Sequence, residues 1–367
     1  MGKPMGVGLI GVGNISGQYF DTIATLDTIK LVALADSDHE RVSREAASAG
    51  LPALGVEQLL TLPEVELVLN LTVPGAHVEI DLAAIEAGKH VYGEKPLALT
   101  LDDGRKVIAE AESQGLRVGS APDTFLGPGL QTSLRAVATG QIGEPFAAAA
   151  FWGSPGHELW HPNPQYFYER GAGPIFDMGP YYLTALVAHL GPVVRVQARH
   201  GATARTRTVA AGPLAGTILR REVPTFAVAI LEHASGSVST VNLSYETWAT
   251  SNAMAEIYGT EGTLRLPDPN EFTGPVRLWR AGGQEWAEIP HNAGYRLGGR
   301  GIGLAEMATA IAAGRPHLAS GALALHVLEI MTAIEQAGDG GPGVALESAA
   351  GVPYHPVTLA DQPIWPE

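Results

Sequence analysis

The sequence predicts an α/β chain in two domains. A doubly wound parallel sheet spans residues 1–122, and an α+β domain with a large, mostly antiparallel, open sheet spans 123–367. Three observations carry this. Short apolar runs alternate with helix-like segments through the first third, the pattern of a parallel sheet covered on both faces. A glycine-rich turn, Gly11-Val12-Gly13-Asn14-Ile15-Ser16-Gly17, follows the first of those runs. Beyond Gly129 the pattern changes to extended runs divided by hairpin-like turns such as Ala234-Ser235-Gly236 and Gly259-Thr260-Glu261-Gly262. A chain of 367 residues also exceeds one ordinary core.

The elements follow in order. Met5 to Ile10 reads as a strand that feeds the turn, and a helix follows through Leu26. Gly11 permits the tight turn, and Gly13 lets the backbone approach a pyrophosphate that the N–H groups and dipole of the next helix stabilise. Asn14 and Ile15 belong to the same candidate cofactor turn, and Ser16 stands where the fingerprint has its third glycine. The strand Leu31 to Ala35 ends in Asp36 and Ser37, where an acid hydrogen-bonds an adenosine ribose. Asp36 repels a 2′-phosphate, so NAD is expected over NADP, with Arg41 and Arg44 close enough to soften the preference. A strand from Leu67 to Leu71 ends in Thr72-Val73-Pro74-Gly75-Ala76-His77, and a helix from Val78 to Ala87 returns the chain to Lys89-His90-Val91-Tyr92. Gly93-Glu94-Lys95-Pro96 comes next, and the proline ring biases the lysine backbone away from helix. Ligands of such sheets bind at the strands' carboxyl ends, where Gly13, Asp36, Thr72 and Lys95 all fall. Lys95 so placed suits polarising a carbonyl or hydroxyl; taken alone, it reads more readily as a surface lysine in a loop, and its company along the chain reverses that. A helix from Leu101 to Gln114, a strand from Leu116 to Gly119 and an exit over Pro122 to Pro128 complete the half.

Composition narrows the function classes. A net charge of -15 without a basic run argues against a nucleic-acid partner. Zero cysteines exclude disulfides, thiolate metal sites and a cysteine nucleophile. No run is long and apolar enough to span a bilayer. The first strand starts almost at the first residue, so a cytoplasmic protein is expected.

The stretches GVGNIS at Gly11 to Ser16, Ala35-Asp36, Thr72 to His77, AGKHV at Ala87 to Val91, and Glu94-Lys95-Pro96 resemble the family of glucose–fructose oxidoreductases and inositol dehydrogenases, Gfo/Idh/MocA. The resemblance covers the whole first half. It implies an NAD(H)-dependent oxidoreductase of a sugar, polyol or related cyclic alcohol. It implies that Thr72, His77 and Glu94 sit with the cofactor, that Lys95 lies beside the nicotinamide and the reacting oxygen, and that the Lys95–Pro96 bond is cis. It also implies that the second-domain sheet carries the substrate and a homodimer or homotetramer contact. The family typically has Asp-x-Gly-x-His in its second half. Here Asp177 keeps the aspartate while Tyr181 stands where the family has its histidine, and an i, i+4 pair faces one way on a helix. Tyr181 is then the proton donor and acceptor beside Lys95, Asp177 orients substrate or lysine, and Tyr182 is the competitor for the proton.

Between the motifs lies Trp152-Gly153-Ser154-Pro155-Gly156-His157-Glu158-Leu159-Trp160-His161-Pro162, which contains His-Glu-x-x-His. A zinc peptidase needs that motif on a helix, and the flanking prolines argue against one, so no metal is expected. Trp152, His157, His161, Tyr166, Arg170 and Tyr182 read instead as a sugar-facing wall. His326, in an apolar helical run, reads as a buried histidine. The competing readings are a dinucleotide-binding regulator without turnover, and an enzyme that oxidises a sugar hydroxyl transiently to permit elimination or glycoside cleavage.

Overall fold

The alternating strands and helices of the first half close into a six-stranded parallel sheet, in a unit formed by Met1–Leu126 and Leu297–Leu328. The computed structural model describes residues 3–203, 205–296 and 298–351. Strand β1 (Met5–Ile10) leads to α1 (Ser16–Ile23), β2 (Ile29–Ala35), α2 (His39–Ala49), β3 (Ala53–Leu54), α3 (Val56–Thr61) and β4 (Leu67–Asn70). Then come α4 (His77–Glu86), β5 (His90–Gly93), α5 (Leu101–Ser113) and β6 (Val118–Ser120). The order β3-β2-β1-β4-β5-β6 is that of a dinucleotide-binding sheet, with its switch between β1 and β4. Ile10 stands beside both Ala35 and Asn70, and Asn70 beside Gly93, so four strands end level. That register is why the residues just past those ends gather along one edge. Side-chain caps set two of the helix starts: Asp38 accepts the Arg41 amide before α2, and Thr100 accepts the Asp103 amide before α5. Ile10, Val68, Ile85, Val91 and Val107 belong to the apolar core beneath.

The observed division differs from a boundary at 122/123. Helix Ile302–Ala312, read from chain order as part of the second domain, belongs with the first unit. The buried carboxylate of Asp123 accepts the amides of Gly301 and Gly303 at 2.8 and 3.0 Å, at that helix's start. Chain order carries no trace of such a return.

The second unit, Gly127–Arg296 and Glu329–Glu367, is built on a nine-stranded sheet. It runs through α6 (Pro128–Ala138), β7 (Pro145–Gly153), α7 (Gly173–Asp177), α8 (Gly179–Leu190), β8 (Val193–Gly201), β9 (Phe226–His233) and β10 (Val238–Ser244). Strands β11 (Ala255–Gly259), β12 (Gly262–Leu266), β13 (Val276–Arg280), β14 (Ala287–Ile289) and β15 (Val344–Ala345) complete it. The sheet is antiparallel except where β7 lies parallel to β10, its neighbour across a long crossover. Along β9, Ala227, Ala229 and Leu231 are buried while Val228 and Ile230 are exposed, so one face of the sheet is open and partly apolar. His326 is fully buried.

The segment from Gly173 to Leu190 is two helices rather than one. Pro180 has no N–H to continue the first helix and its ring crowds the carbonyl four residues back, so α7 ends and α8 begins around Met178. Asp177 therefore closes one helix and Tyr181 lies in the first turn of the next.

Candidate active site

In the first unit the glycine turn forms an open cradle. Gly11 has φ +100°, and a Cβ there would lie 2.6 Å from the Leu71 carbonyl carbon, so only glycine fits. A Cβ on Gly13 would meet nothing within 4 Å, which leaves its backbone open to a pyrophosphate. Ser16 heads α1 and donates its hydroxyl back to the Gly13 carbonyl at 2.7 Å, bracing the turn. Asn14 is exposed and Ile15 half-buried beside it.

Asp36 is anchored for a ribose. Its carboxylate accepts the Val12 and Asp38 amides, each at 2.8 Å, and Arg41 Nη2, also at 2.8 Å; the Ser37 hydroxyl lies at 3.4 Å. Burial alone would raise its pKa, but the two amides and the guanidinium hold it below the usual carboxylate range. The open glycine backbone, the helix start and this ionised acid together fit a dinucleotide.

The Lys95–Pro96 bond is cis and Lys95 is half-buried. Its backbone N–H donates to Glu94 Oε2 at 3.0 Å. Glu94 Oε1 accepts the Tyr19 hydroxyl at 2.8 Å and lies 3.6 Å from Arg300 Nη1. His77 is 1% exposed, and its ring nitrogens lie 2.8 Å from the Pro96 carbonyl and 3.0 Å from the Thr72 carbonyl. Glu94 and His77, expected beside the cofactor, are buried and bond within the chain. Thr72 is half-buried, and its hydroxyl donates to Asn70 Oδ1 at 2.6 Å.

In the second unit, Asp177 accepts the Tyr245 hydroxyl at 2.9 Å and lies 3.7 Å from His157 Nε2. Burial, then the Asp177 carboxylate, pushes the Tyr245 hydroxyl well up, so it stays a donor. His157 stacks on Phe167 at 3.8 Å and meets Tyr245 edge-on at 4.7 Å, while Trp152 meets Tyr245 at 5.6 Å. Tyr166 lies over Phe167 at 3.9 Å, with His161 at 5.9 Å from Tyr166. Four expected wall residues, Trp152, His157, His161 and Tyr166, thus form one aromatic cluster with Asp177, and Trp160 and Tyr166 present exposed rings.

Two expected wall residues stand elsewhere. Tyr182 is fully buried and donates its hydroxyl to Asp268 at 2.7 Å, and burial, then the Asp268 carboxylate, pushes its pKa far up. Arg170 is exposed, and its charge acts on Glu335. Tyr181 is 4% exposed. The His-Glu-x-x-His stretch forms a 3-10 turn over His157–Leu159, with Glu158 held by Arg207 at 2.8 Å, Arg205 at 3.3 Å and the Tyr168 hydroxyl. A glutamate held by two guanidiniums is a brace for the turn.

Sequence reasoning missed Asn70, Tyr19, Tyr245 and the Glu158–Arg207–Glu246 cluster. Only Asn70 had a signal, a polar residue ending the otherwise apolar run Leu67–Asn70. Arg207 meets Glu158 and Glu246 across 49 and 39 residues of chain, which no local pattern reveals.

Residues 5–121 match the family model described as an oxidoreductase family with an NAD-binding Rossmann fold, and residues 130–265 match the C-terminal domain model of the same GFO/IDH/MocA family. The chain is similar to a D-apiose dehydrogenase of Paraburkholderia graminis, 29% identical over 70% of this chain and 66% of that enzyme. It is also similar to a 1,5-anhydro-D-fructose reductase of Ensifer adhaerens, 28% identical over 70% of this chain and 74% of that enzyme. A solved structure of a levoglucosan dehydrogenase with NADH and L-sorbose shares the fold, with a TM-score of 0.81 at 20% identity over 94% of this chain and all of that one.

Proposed function

The chain belongs to the Gfo/Idh/MocA oxidoreductase family, and on that premise we propose that it transfers a hydride between a nicotinamide cofactor and a sugar, polyol or related cyclic alcohol. The observation that carries this is Lys95 just past the level strand ends, with its N–H tied to Glu94 and the next carbonyl to His77. A lysine fixed by its backbone on both sides acts as an aimed charge. NAD is the expected cofactor, held by the Gly11 to Ile15 turn, Asp36 and Ser37. When bound, the nicotinamide supplies the hydride chemistry.

The residues divide the remaining work. Lys95 stabilises negative charge growing on the substrate oxygen. Tyr181 exchanges the hydroxyl proton. Asp177, kept oriented by Tyr245, and the rings of Trp152, His157, His161 and Tyr166 hold the sugar, whose C–H faces suit aromatic surfaces. The exposed Val228 and Ile230, with Phe146 and Val238 on neighbouring strands, give the sheet an apolar surface suited to a second copy of the chain. The expected setting is cytoplasmic; among the described residues no helix is long and apolar enough to cross a membrane.

The test is absorbance at the reduced-nicotinamide band with NAD and a panel of sugars and polyols. At least one cyclic substrate should give sustained reduction. NAD binding with no reduction across the panel would favour a regulator without turnover.

A further inference from the structure

Past the end of β5 the main chain leaves the sheet at Lys95. The Glu94 N–H still donates to the Asn70 carbonyl, at 2.9 Å. The Lys95 N–H turns to a side chain, Glu94 Oε2, at 3.0 Å. The other oxygen of that carboxylate accepts the Tyr19 hydroxyl at 2.8 Å. Tyr19 lies on α1, three residues beyond the Ser16 that braces the glycine turn, which is roughly 4.5 Å along the helix. We propose that Tyr19 is a positioning residue: through the Glu94 carboxylate it ties the Lys95 main chain to the helix that opens at the cofactor turn, and so sets where the lysine stands relative to a bound nicotinamide. The role rests on the reading of Lys95 given above.

The packing of this corner supports such a tie. Tyr19 is fully buried, and Glu94 is 8% exposed. Burial, then the Glu94 carboxylate, pushes the Tyr19 hydroxyl well up, so it stays a donor. A buried carboxylate that loses a donor turns toward another, because its desolvated charge is costly to leave unmatched. Both oxygens of Glu94 turn with one side chain, so that rotation pulls Oε2 off the Lys95 N–H. A second strut runs beside the first. Gln18, next to Tyr19 on α1, accepts Arg300 Nε at 3.2 Å, and Arg300 Nη1 lies 3.6 Å from Glu94 Oε1. At that distance Nη1 lends charge rather than a hydrogen bond, so it cannot take over the part of the Tyr19 hydroxyl. The ring is held independently of that hydroxyl: a Cβ on Gly301 would stand 3.2 Å from Tyr19 Cδ1. Tyr19→Phe therefore removes the bond and leaves the packing in place.

The test uses the full chain and has two arms. In the kinetic arm, turnover of Tyr19→Phe should fall by about 10-fold, the scale of a small misplacement of a reacting group, while the dissociation constant for NAD stays within about twofold of wild type. In the Lys95→Ala background the same change should cost less than about twofold, because the group that Tyr19 places is gone. An equal loss in both backgrounds would overturn the proposal, since Tyr19 would then act by a route other than Lys95; so would unchanged turnover in Tyr19→Phe. The second arm reads the tie without activity. With 15N-labelled lysine, the Lys95 amide is assigned by its absence from the Lys95→Ala spectrum, and it should move in Tyr19→Phe while the Lys89 and Lys106 amides hold still. A Lys95 amide that stays in place would refute the tie. A moved amide in a protein that turns over no sugar would establish the tie and fail the dehydrogenase reading. Glu94→Gln attacks the tie from its other end and should also move the Lys95 amide, which decides the matter if Tyr19→Phe does not fold.

Discussion

Replacing Arg207 with leucine should destabilise the second unit more than any surface change. The guanidinium is 3% exposed and reaches Glu158 Oε1 at 2.8 Å, Glu246 Oε1 at 2.5 Å, the Tyr245 carbonyl at 3.1 Å and the Tyr168 hydroxyl at 3.1 Å. Its loss leaves Glu158, 1% exposed, with Arg205 at 3.3 Å as its remaining guanidinium. Breaking a buried pair from one side costs about 3–5 kcal/mol, because the partner charge stays desolvated. At roughly 2–4 °C per kcal/mol for a unit of this size, the melting temperature should fall by about 10 °C. The assay is thermal or urea unfolding followed by circular dichroism, with Arg207→Leu compared against the double variant Arg207→Leu/Glu158→Gln. The double variant should recover part of the loss, since both charges are then gone. A single-variant loss below about 1 kcal/mol would mean that the cluster is effectively solvated, and the bracing of the His157 turn would have to be abandoned.

Asp36, Asp123 and Tyr181 carry three further expected outcomes. Asp36→Ser should weaken NAD by about 10–100-fold, the worth of charged hydrogen bonds to a ribose, and should improve NADP as Arg41 loses its carboxylate partner; an unchanged ratio by calorimetry would contradict the assigned role. Burial pushes the Asp123 carboxyl up to about 6 from 3.8, partly offset by the Gly303 and Gly301 amides and Arg300. The folded pKa exceeds the unfolded one, so the stability this group contributes is complete below about pH 4 and is lost as pH rises through about 6. Asp123→Asn removes that ionisation, and its melting temperature relative to wild type should climb between about pH 4 and pH 7; a constant difference would show that the acid does not titrate there. Tyr181→Phe should lower turnover by about 100-fold or more with little change in stability. Tyr182→Phe should keep turnover, because that hydroxyl is spent on Asp268; the opposite result would move the proton to Tyr182.

Much of the first unit is legible in sequence because its strands are apolar runs that end in glycine or polar residues. The Val-, Leu- and Ile-rich β1, β2 and β4 and the exits at Gly11, Asp36 and Thr72 need only local rules. Strand β7 hides for the opposite reason. It lies inside the nine-stranded sheet, yet its sequence PFAAAAFWG is rich in alanine, a helix former. The packing of its neighbours overrides propensity there. The placement of Asp177 and Tyr181 was not legible, since the i, i+4 argument assumes a continuous helix and Pro180 divides it. The partners of Glu94 and His77 lie on other elements, so the internal bonds that burial imposes on them are invisible in the sequence.

The role proposed for Lys95 is tested most directly by separating turnover from cofactor binding in Lys95→Ala. With a substrate found in the sugar panel, turnover should fall by about 100-fold or more, the usual cost of one well-placed electrostatic donor. The NAD dissociation constant, measured by calorimetry on the same sample, should stay within about threefold, because the pyrophosphate and ribose contacts proposed above lie at Gly13 and Asp36. Wild-type turnover in the variant, or a loss of NAD binding as large as the loss of turnover, would contradict the assignment of Lys95 as the group that stabilises the reacting oxygen.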